Sequence, residues 1–370
     1  MDKHPHLIPL VFMCAGLCTS LCATMAQAMA GEMQDAESGS APADAGFYSS
    51  PDEEREGGPR TQLAPWLAFS GLLEAEKEYT QHRIGPNQYV AESSHPVQTL
   101  QLAFEMEHAD WLEAEFIFEA ENDKQLRSRL DEGWVGVTYH DAGVKAGKLY
   151  LPFGEFFSHF VSGPALEFAE TRADSLLLEY ETGTGLNFTA FVFDGQVETI
   201  SGAASHDWGY RVEWASAGNH IRIGASYLSD ILESEEPLVE AEDYPVARRI
   251  SAYTAYGRVG IGGLDFTLEA LGANDDIAEL DSAMNRPFSV NFEMAYFTAR
   301  ILYAVRIEHN RELEDTPQRR YGVTASFLIV ENLTLSLDYL YGDFEEGFAS
   351  IDEQDVQVRN EVAGNIAFGF

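Results

Sequence analysis

Cysteine is nearly absent from this chain: there are three (Cys14, Cys18 and Cys22), all inside one apolar N-terminal segment. Once that segment is removed, neither a disulfide framework nor a thiol site remains, which suits passage through an oxidising compartment. Basic residues are scarce as well. The 23 Lys and Arg stand against 61 Asp and Glu, a formal charge of −38 over 370 residues. A surface of that sign repels a phosphate backbone, so nucleic acid is excluded as a partner. Past residue 30 no stretch is long and apolar enough for a membrane helix, and mean hydropathy is −0.20. That excludes a helical membrane protein but not a β-barrel, whose alternating strands average to a neutral hydropathy. Metal-ligand spacing such as His-x-x-x-His does not occur, so no cofactor or resident metal is expected.

The N-terminus carries Lys3, the apolar run "LIPLVFMCAGLCTSLCATM" and then "AQAMA", a small-x-small cleavage pattern. Residues 1–30 therefore read as a secretory signal peptide. Cys18 and Cys22 each follow a leucine, unlike a lipoprotein signal. Residues 31–64, rich in Gly, Pro, Ser and acid and almost free of aliphatics, read as a disordered acidic periplasmic leader.

From Trp66 onward the hydrophobic period is two. Leu67, Phe69, Gly71, Leu73, Ala75 and Tyr79 share one face, and Ser70, Glu74, Glu76 and Glu78 share the other. In "WLEAEFIFEAE" the apolar face is Leu112, Ala114, Phe116, Phe118 and Ala120, opposite Glu113, Glu115, Glu119 and Glu121. Connections alternate between tight ones ("HDAG", "ETGTG", "SAGN", "GIGG", "EN") and long polar ones at 80–95, 122–130, 151–174, 196–206, 230–247, 274–286, 310–318 and 343–354. Short turns on one side and long loops on the other predict an all-β transmembrane antiparallel barrel of about 16 strands over 65–370. Closure satisfies every backbone group in lipid, which an open sheet cannot do. The expected location is the bacterial outer membrane, with lipid as a partner. The last strand resembles the signal read by the barrel assembly machinery, alternating aromatics ending in Phe, which Phe368 and Phe370 supply.

One stretch breaks the pattern. "KLYLPFGEFFSHFVSGPALEFAETRAD", Lys148 to Asp174, is crowded with aromatics and punctuated by Pro152, Gly154, Gly163 and Pro164. By strand order it is the third external loop. Left in water it would expose a large apolar patch, whereas a 16-strand barrel has room to hold it inside. Pro152 and Gly154 end the strand and allow an inward turn. "YLPFGEFFSHFVSGPALEFAETR" resembles the corresponding segment of LbtU-type siderophore porins in its Tyr-x-Pro-Phe-Gly opening, Ser-His-Phe core and Glu-Thr-Arg close; carbohydrate-selective porins carry a related opening. The resemblance implies a porin whose third loop folds into the lumen and constricts it. The constriction residues are then Tyr150, Pro152, Phe153, Gly154, Glu155, Phe157, His159, Phe160, Glu167, Glu170 and Arg172. It also implies diffusive uptake of a siderophore without an energising partner. The leader departs from the family's coiled-coil N-terminal part, being acidic and without heptads.

If the apolar faces meet lipid, Glu74, Glu76, Glu105, Glu113, Glu115, Glu119 and Glu132 form an acidic lumen wall, and Arg211, Arg222, Arg300 and Arg306 face inward from later strands. Two arrangements are open: opposed walls with a transverse field, or local ion pairs. His159 either meets a ligand or fixes loop packing. Besides siderophore uptake, general cation- or carbohydrate-selective diffusion of a small polar solute fits the same features. A structural or adhesive barrel is a further alternative. An enzyme is disfavoured, since no serine–histidine pairing is evident on an outward face. The class is compatible with a homo-oligomer.

Overall fold

A computed structural model describes residues 59–109, 111–122, 125–200, 207–239, 244–351 and 354–370. The expected signal peptide, residues 1–30, and residues 31–58 of the expected leader lie outside the described residues. The strands run in chain order as β1 (Thr61–Ala64), β2 (Leu67–Gly85), β3 (Gln88–Ser93), β4 (Val97–His108), β5 (Leu112–Asn122), β6 (Leu126–Tyr139) and β7 (Ala142–Tyr150). Next come β8 (Arg172–Glu181), β9 (Leu186–Phe193), β10 (Asp207–Ala215), β11 (Ile221–Leu228), β12 (Ala252–Ile261), β13 (Leu264–Ala273) and β14 (Phe288–Phe297). The last are β15 (Ile301–Arg311), β16 (Arg319–Val330), β17 (Leu333–Asp343), β18 (Ser350–Ile351), β19 (Gln354–Asp355) and β20 (Val358–Gly369).

The strands β2, β4 to β17 and β20 form a closed antiparallel barrel of 16. Closure is made by β2 against β20, from Leu72↔Gly369 to Arg83↔Val358. At the seam, Phe370 exchanges two 2.8 Å backbone hydrogen bonds with Gly71. A Cβ on Gly71 would lie 2.4 Å from the Phe370 ring, so the terminal aromatic needs a glycine beneath it.

Three boundaries differ from the sequence expectation. Thr61–Ala64, assigned to the leader, pair with β2 as a strand, from Thr61↔Phe69 to Ala64↔Leu67. The first long connection, 80–95, is largely paired, with β2 running to Gly85 and β3 returning at Gln88. The second, 122–130, is already β6 from Leu126. Polar composition misled here, because a strand pair that continues beyond the lipid faces water on both sides and loses its apolar alternation.

The outer surface is that of a bilayer protein. Exposed leucine, isoleucine, valine and phenylalanine (Leu73, Phe118, Leu178, Ile223, Leu268, Leu337) cover its middle. Exposed aromatics mark both edges: Trp66, Trp111, Tyr139, Tyr180 and Trp214 at the short-turn rim, and Tyr79, Trp208, Tyr210, Tyr253 and Tyr321 toward the long loops. Such belts sit at the two headgroup levels.

The packed core lies inside the barrel, on one side. Phe153, Phe156, Leu166 and Phe168 of the third loop meet inward Leu149, Leu177, Phe191, Phe193, Leu228 and Leu271. Ile231, Leu232, Val239, Val246 and Ile250, between β11 and β12, and Ile277, between β13 and β14, close over them. Replacing outward, mid-strand Leu268 (51% exposed) by arginine should destabilise the barrel in phospholipid vesicles by about 2–4 kcal/mol, measured by denaturant titration.

Candidate functional site

The third loop leaves β7 at Tyr150, crosses the lumen and returns to β8 at Arg172. Ala165–Ala169 form a short 3-10 turn with Leu166, Phe168 and Ala169 buried. Gly154 starts the inward course with φ +83°, and a Cβ there would meet Glu269 Oε1 at 2.9 Å and the Phe156 ring at 2.8 Å. Phe156, a non-glycine residue at φ +49°, holds the left-handed conformation that follows.

The wall grips this loop through inward carboxylates on successive strands. Glu155 and Phe156 each donate a backbone N–H to Glu269 at 2.9 Å. His159 donates its N–H to Glu293 at 2.9 Å, Ser162 to Asp338 at 3.1 Å and Ala165 to Glu308 at 2.8 Å. Ser162 Oγ donates to Glu361 at 2.8 Å. Two arginines take the loop carbonyls: Arg306 donates to Ser162 O at 2.7 Å and Gly163 O at 2.9 Å, and Arg320 to Gly163 O at 2.6 Å. Arg306 also donates to Ser158 Oγ, stacks on Phe160 at 4.2 Å, and pairs with Glu293 at 2.8 Å, with both charges fully buried.

His159 Nε2 lies 3.3 Å from Asp265 Oδ2, edge-on to Phe157 and Phe297. Arg258 pairs with the same aspartate at 2.8 Å and covers the Phe157 ring at 3.9 Å. Of the two readings of His159, its surroundings match the packing one. Among the described residues no group of three or more His, Cys, Asp or Glu is arranged to hold a metal ion.

Beside the first leg of the loop, toward the short-turn rim, lies a cavity of about 600 Å³. Ten glutamates and four basic residues line it, with the faces of Trp134, Tyr150 and Phe156. Of the expected acidic wall, Glu105, Glu113, Glu115 and Glu132 are here. Arg60 pairs with Glu105 at 3.1 Å, and Lys145 lies 3.7 Å from both Glu113 and Glu179 and 4.5 Å over the Trp134 ring. Trp134 Nε1 donates to Glu115 at 3.1 Å. Trp134 was not anticipated as a site residue. It shares the inward face of Glu132, two residues before it, and a bulge between Leu130 and Glu132 means that only the alternation after the bulge carries that signal.

Other expected wall residues keep the inward face of their strands but do not line this cavity. Glu119 pairs with Arg129 at 2.9 Å, outside the cavity lining. Glu74 accepts from Asn365 at 3.1 Å on β2, and Glu76 follows it on the same strand; neither lines the cavity. Arg211 and Arg222 do line it, but face no distant acidic wall. Glu155 takes Arg222 at 3.0 Å and Arg211 at 3.4 Å, Arg211 also pairs with Glu213, and Tyr256 donates to Glu213 at 2.6 Å. Two guanidiniums and two carboxylates cancel locally, so local pairing replaces the transverse field. Arg306 points inward, as expected, but is an anchor of the loop and does not line this cavity. Arg300 is not on a lumen face at all: it is exposed in the short turn between β14 and β15, because β14 ends at Phe297. Glu170 lines the cavity, whereas Glu167, in the 3-10 turn, does not. Arg172 pairs with Asp131 and Glu235 and lies 5.1 Å from the Tyr150 ring, tying the returning leg to the loop between β11 and β12.

That loop is held by Asp230, which is fully buried and accepts N–H bonds from Leu232 at 3.1 Å and Ile250 at 3.2 Å. Burial pushes its carboxyl up to about 7.

In sequence, no protein-family model and no curated protein matches the chain. In structure it is similar to porins. The outer membrane channel DcaP of Acinetobacter baumannii aligns over 85% of this chain and all of that one, at 10% identity and TM-score 0.57. The anion-selective porin of Comamonas acidovorans aligns over 82% and 99%, at 10% identity and TM-score 0.61. Salmonella typhi OmpF, in complex with daunomycin, aligns over 84% and 100%, at 12% identity and TM-score 0.58. The fold is therefore that of a 16-strand outer-membrane porin, with the third loop in the lumen. The likeness to LbtU-type siderophore porins rests on the loop motif.

A carboxyl raised from about 3.9 in the unfolded chain to about 7 when folded favours folding fully below the lower value and loses that contribution as pH rises to the upper one. Amide exchange at Leu232 and Ile250, corrected for intrinsic rates, should therefore be faster at pH 8 than at pH 5, and Asp230→Asn should flatten the difference. Arg306→Ala strands Glu293 in a dry site and should cost about 3–5 kcal/mol, measured by denaturant titration. The Arg306→Met/Glu293→Gln pair, with no uncompensated charge, should recover most of that loss.

Proposed function

We propose that this protein is an outer-membrane channel through which small polar solutes diffuse, with a preference for cations. The observation that carries this reading is the cavity beside the folded-in loop, with its ten glutamates against four basic residues. A low-dielectric wall with an excess of one sign concentrates counter-ions and repels co-ions. The two arginines that could attract anions are neutralised by Glu155 and Glu213.

The finer reading is uptake of a siderophore complex, suggested by the Tyr-x-Pro-Phe-Gly to Glu-Thr-Arg motif. A cavity of about 600 Å³ with aromatic faces is of a size and character that hold a drug-sized organic ligand. The barrel's interior is occupied by its own loop, which favours passive movement without an energising partner.

In planar bilayers the channel should pass K⁺ in preference to Cl⁻. Glu155→Gln, which removes the carboxylate that Arg211 and Arg222 share, should lower that preference more than Glu107→Gln, which removes a cavity-lining carboxylate away from those arginines. A channel that does not conduct, or that selects Cl⁻ in its unaltered form, sinks the proposal. Liposome uptake of a labelled ferric siderophore, compared with a neutral sugar of similar size, tests the finer reading.

A further inference from the structure

In a chain with 61 acidic and 23 basic residues, an arginine readily finds a carboxylate. Arg129, Arg172, Arg211, Arg222, Arg258 and Arg320 all do. Arg311 and Arg319 are among those that do not. Both are exposed at the long-loop ends of β15 and β16, and among the described residues neither has a carboxylate at ion-pair distance. Both point outward, since β15 alternates buried Arg306, Glu308 and Asn310 with exposed Ile307, His309 and Arg311, and β16 carries exposed Tyr321 and Val323 on the face of Arg319.

Their surroundings are specific. His309 and Arg319 are direct cross-strand partners, and Arg311 is two residues further along β15. Arg311 opposes Phe288 and lies 5.6 Å from its ring. Arg286, two residues before Phe288, is exposed, with its guanidinium steadied by Ala273 O at 3.3 Å and Asn274 O at 2.8 Å. Acids stand nearby as well, but among the described residues none is at ion-pair distance from a guanidinium of the patch: Glu312 accepts the Arg286 backbone N–H at 3.1 Å, and Asp343, the cross-strand partner of Arg319, accepts Tyr341 OH at 2.7 Å. Glu314 and Asp315 lie on the loop between the two strands. Directly below, toward the middle of the barrel, are Tyr321 (43% exposed), Ile307 (50%) and Val323 (39%).

We propose that Arg286, His309, Arg311 and Arg319 form a site for the phosphate of a phosphorylated glycolipid in the outer leaflet, whose acyl chains lie along Ile307, Tyr321 and Val323. Planar guanidiniums match phosphate oxygens in bidentate fashion, which a scattered ammonium would not. The patch sits where apolar wall gives way to polar rim and faces away from the lumen, which selects a headgroup over a permeating anion. The inference rests on the outer-membrane location and is independent of the channel reading.

The test uses the full-length chain in neutral detergent, titrated with diphosphoryl lipid A and with the same lipid dephosphorylated, bound lipid being counted by native mass spectrometry. The unaltered protein should retain the phosphorylated lipid, and Arg311→Gln/Arg319→Gln should weaken it about tenfold or more. Arg300→Gln, at the opposite rim, should leave binding unchanged. Retention by the double variant within about twofold of the unaltered protein, an equal loss in Arg300→Gln, or equal binding of the dephosphorylated lipid each overturns the proposal. Displacement of the lipid by excess inorganic phosphate would mark a simple anion site and overturn the lipid assignment.

Discussion

The arrangement depends on one exchange: inward carboxylates of the wall accept the backbone N–H groups of the loop that fills the lumen. A non-helical, non-sheet segment inside a barrel leaves its amides without partners, and each buried unmade bond costs about 1–3 kcal/mol. A carboxylate on an inner wall has the converse problem, a charge withdrawn from bulk water without a donor. Glu269, Glu293, Glu308 and Asp338 solve both problems at once, each receiving loop N–H groups across more than a hundred residues of sequence. Arg306 and Arg320 do the same for loop carbonyls. Much of the acidity in the later strands is therefore structural, and tells nothing directly about what passes through.

This division explains which parts of the sequence could be read in advance. The barrel was legible because lipid imposes one rule on every strand, apolar outward, and sets apart Leu73, Leu178 and Leu337 without reference to any partner. The loop was legible as an irregularity, since Pro152, Gly154 and clustered phenylalanines suit neither strand nor solvent. The roles of individual inward residues were not. Glu113 and Glu293 look alike in alternation, yet one lines a wet cavity and the other is a fully buried anchor. What separates them is the path of a loop whose polar groups are taken by β11, β13, β14, β15, β17 and β20, and periodicity carries no record of that path. Arg300 failed for a more local reason, a turn that takes Thr298 to Arg300 out of the strand pattern.

Packing also breaks the rotational symmetry of the lumen. On the side of β8 to β13 an apolar cluster joins loop and wall, and the segments after β11 and β13 cover it. Water and solute are left the side of β4 to β11 near the short-turn rim, lined by Glu105, Glu113, Glu115 and Glu132, while Arg211 and Arg222 are paired with Glu155 and Glu213. Charge selectivity in such a space is governed by what remains after local pairing, which leaves the carboxylates in excess.

A loop held this way is a poor candidate for a moving gate. Displacing it would expose the amides of Glu155, Phe156, His159, Ser162 and Ala165 together and leave Glu269 and Glu293 buried without their donors. These terms fall within one connected network, so partial release gains little and full release loses nearly everything. The Gly154–Phe156 turn fits this, because its positive φ values occur where Glu269 holds the two amides that follow Gly154. Selectivity must then come from fixed geometry: the placement of one loop glutamate between two arginines, with its backbone clamped by a carboxylate that no solute meets.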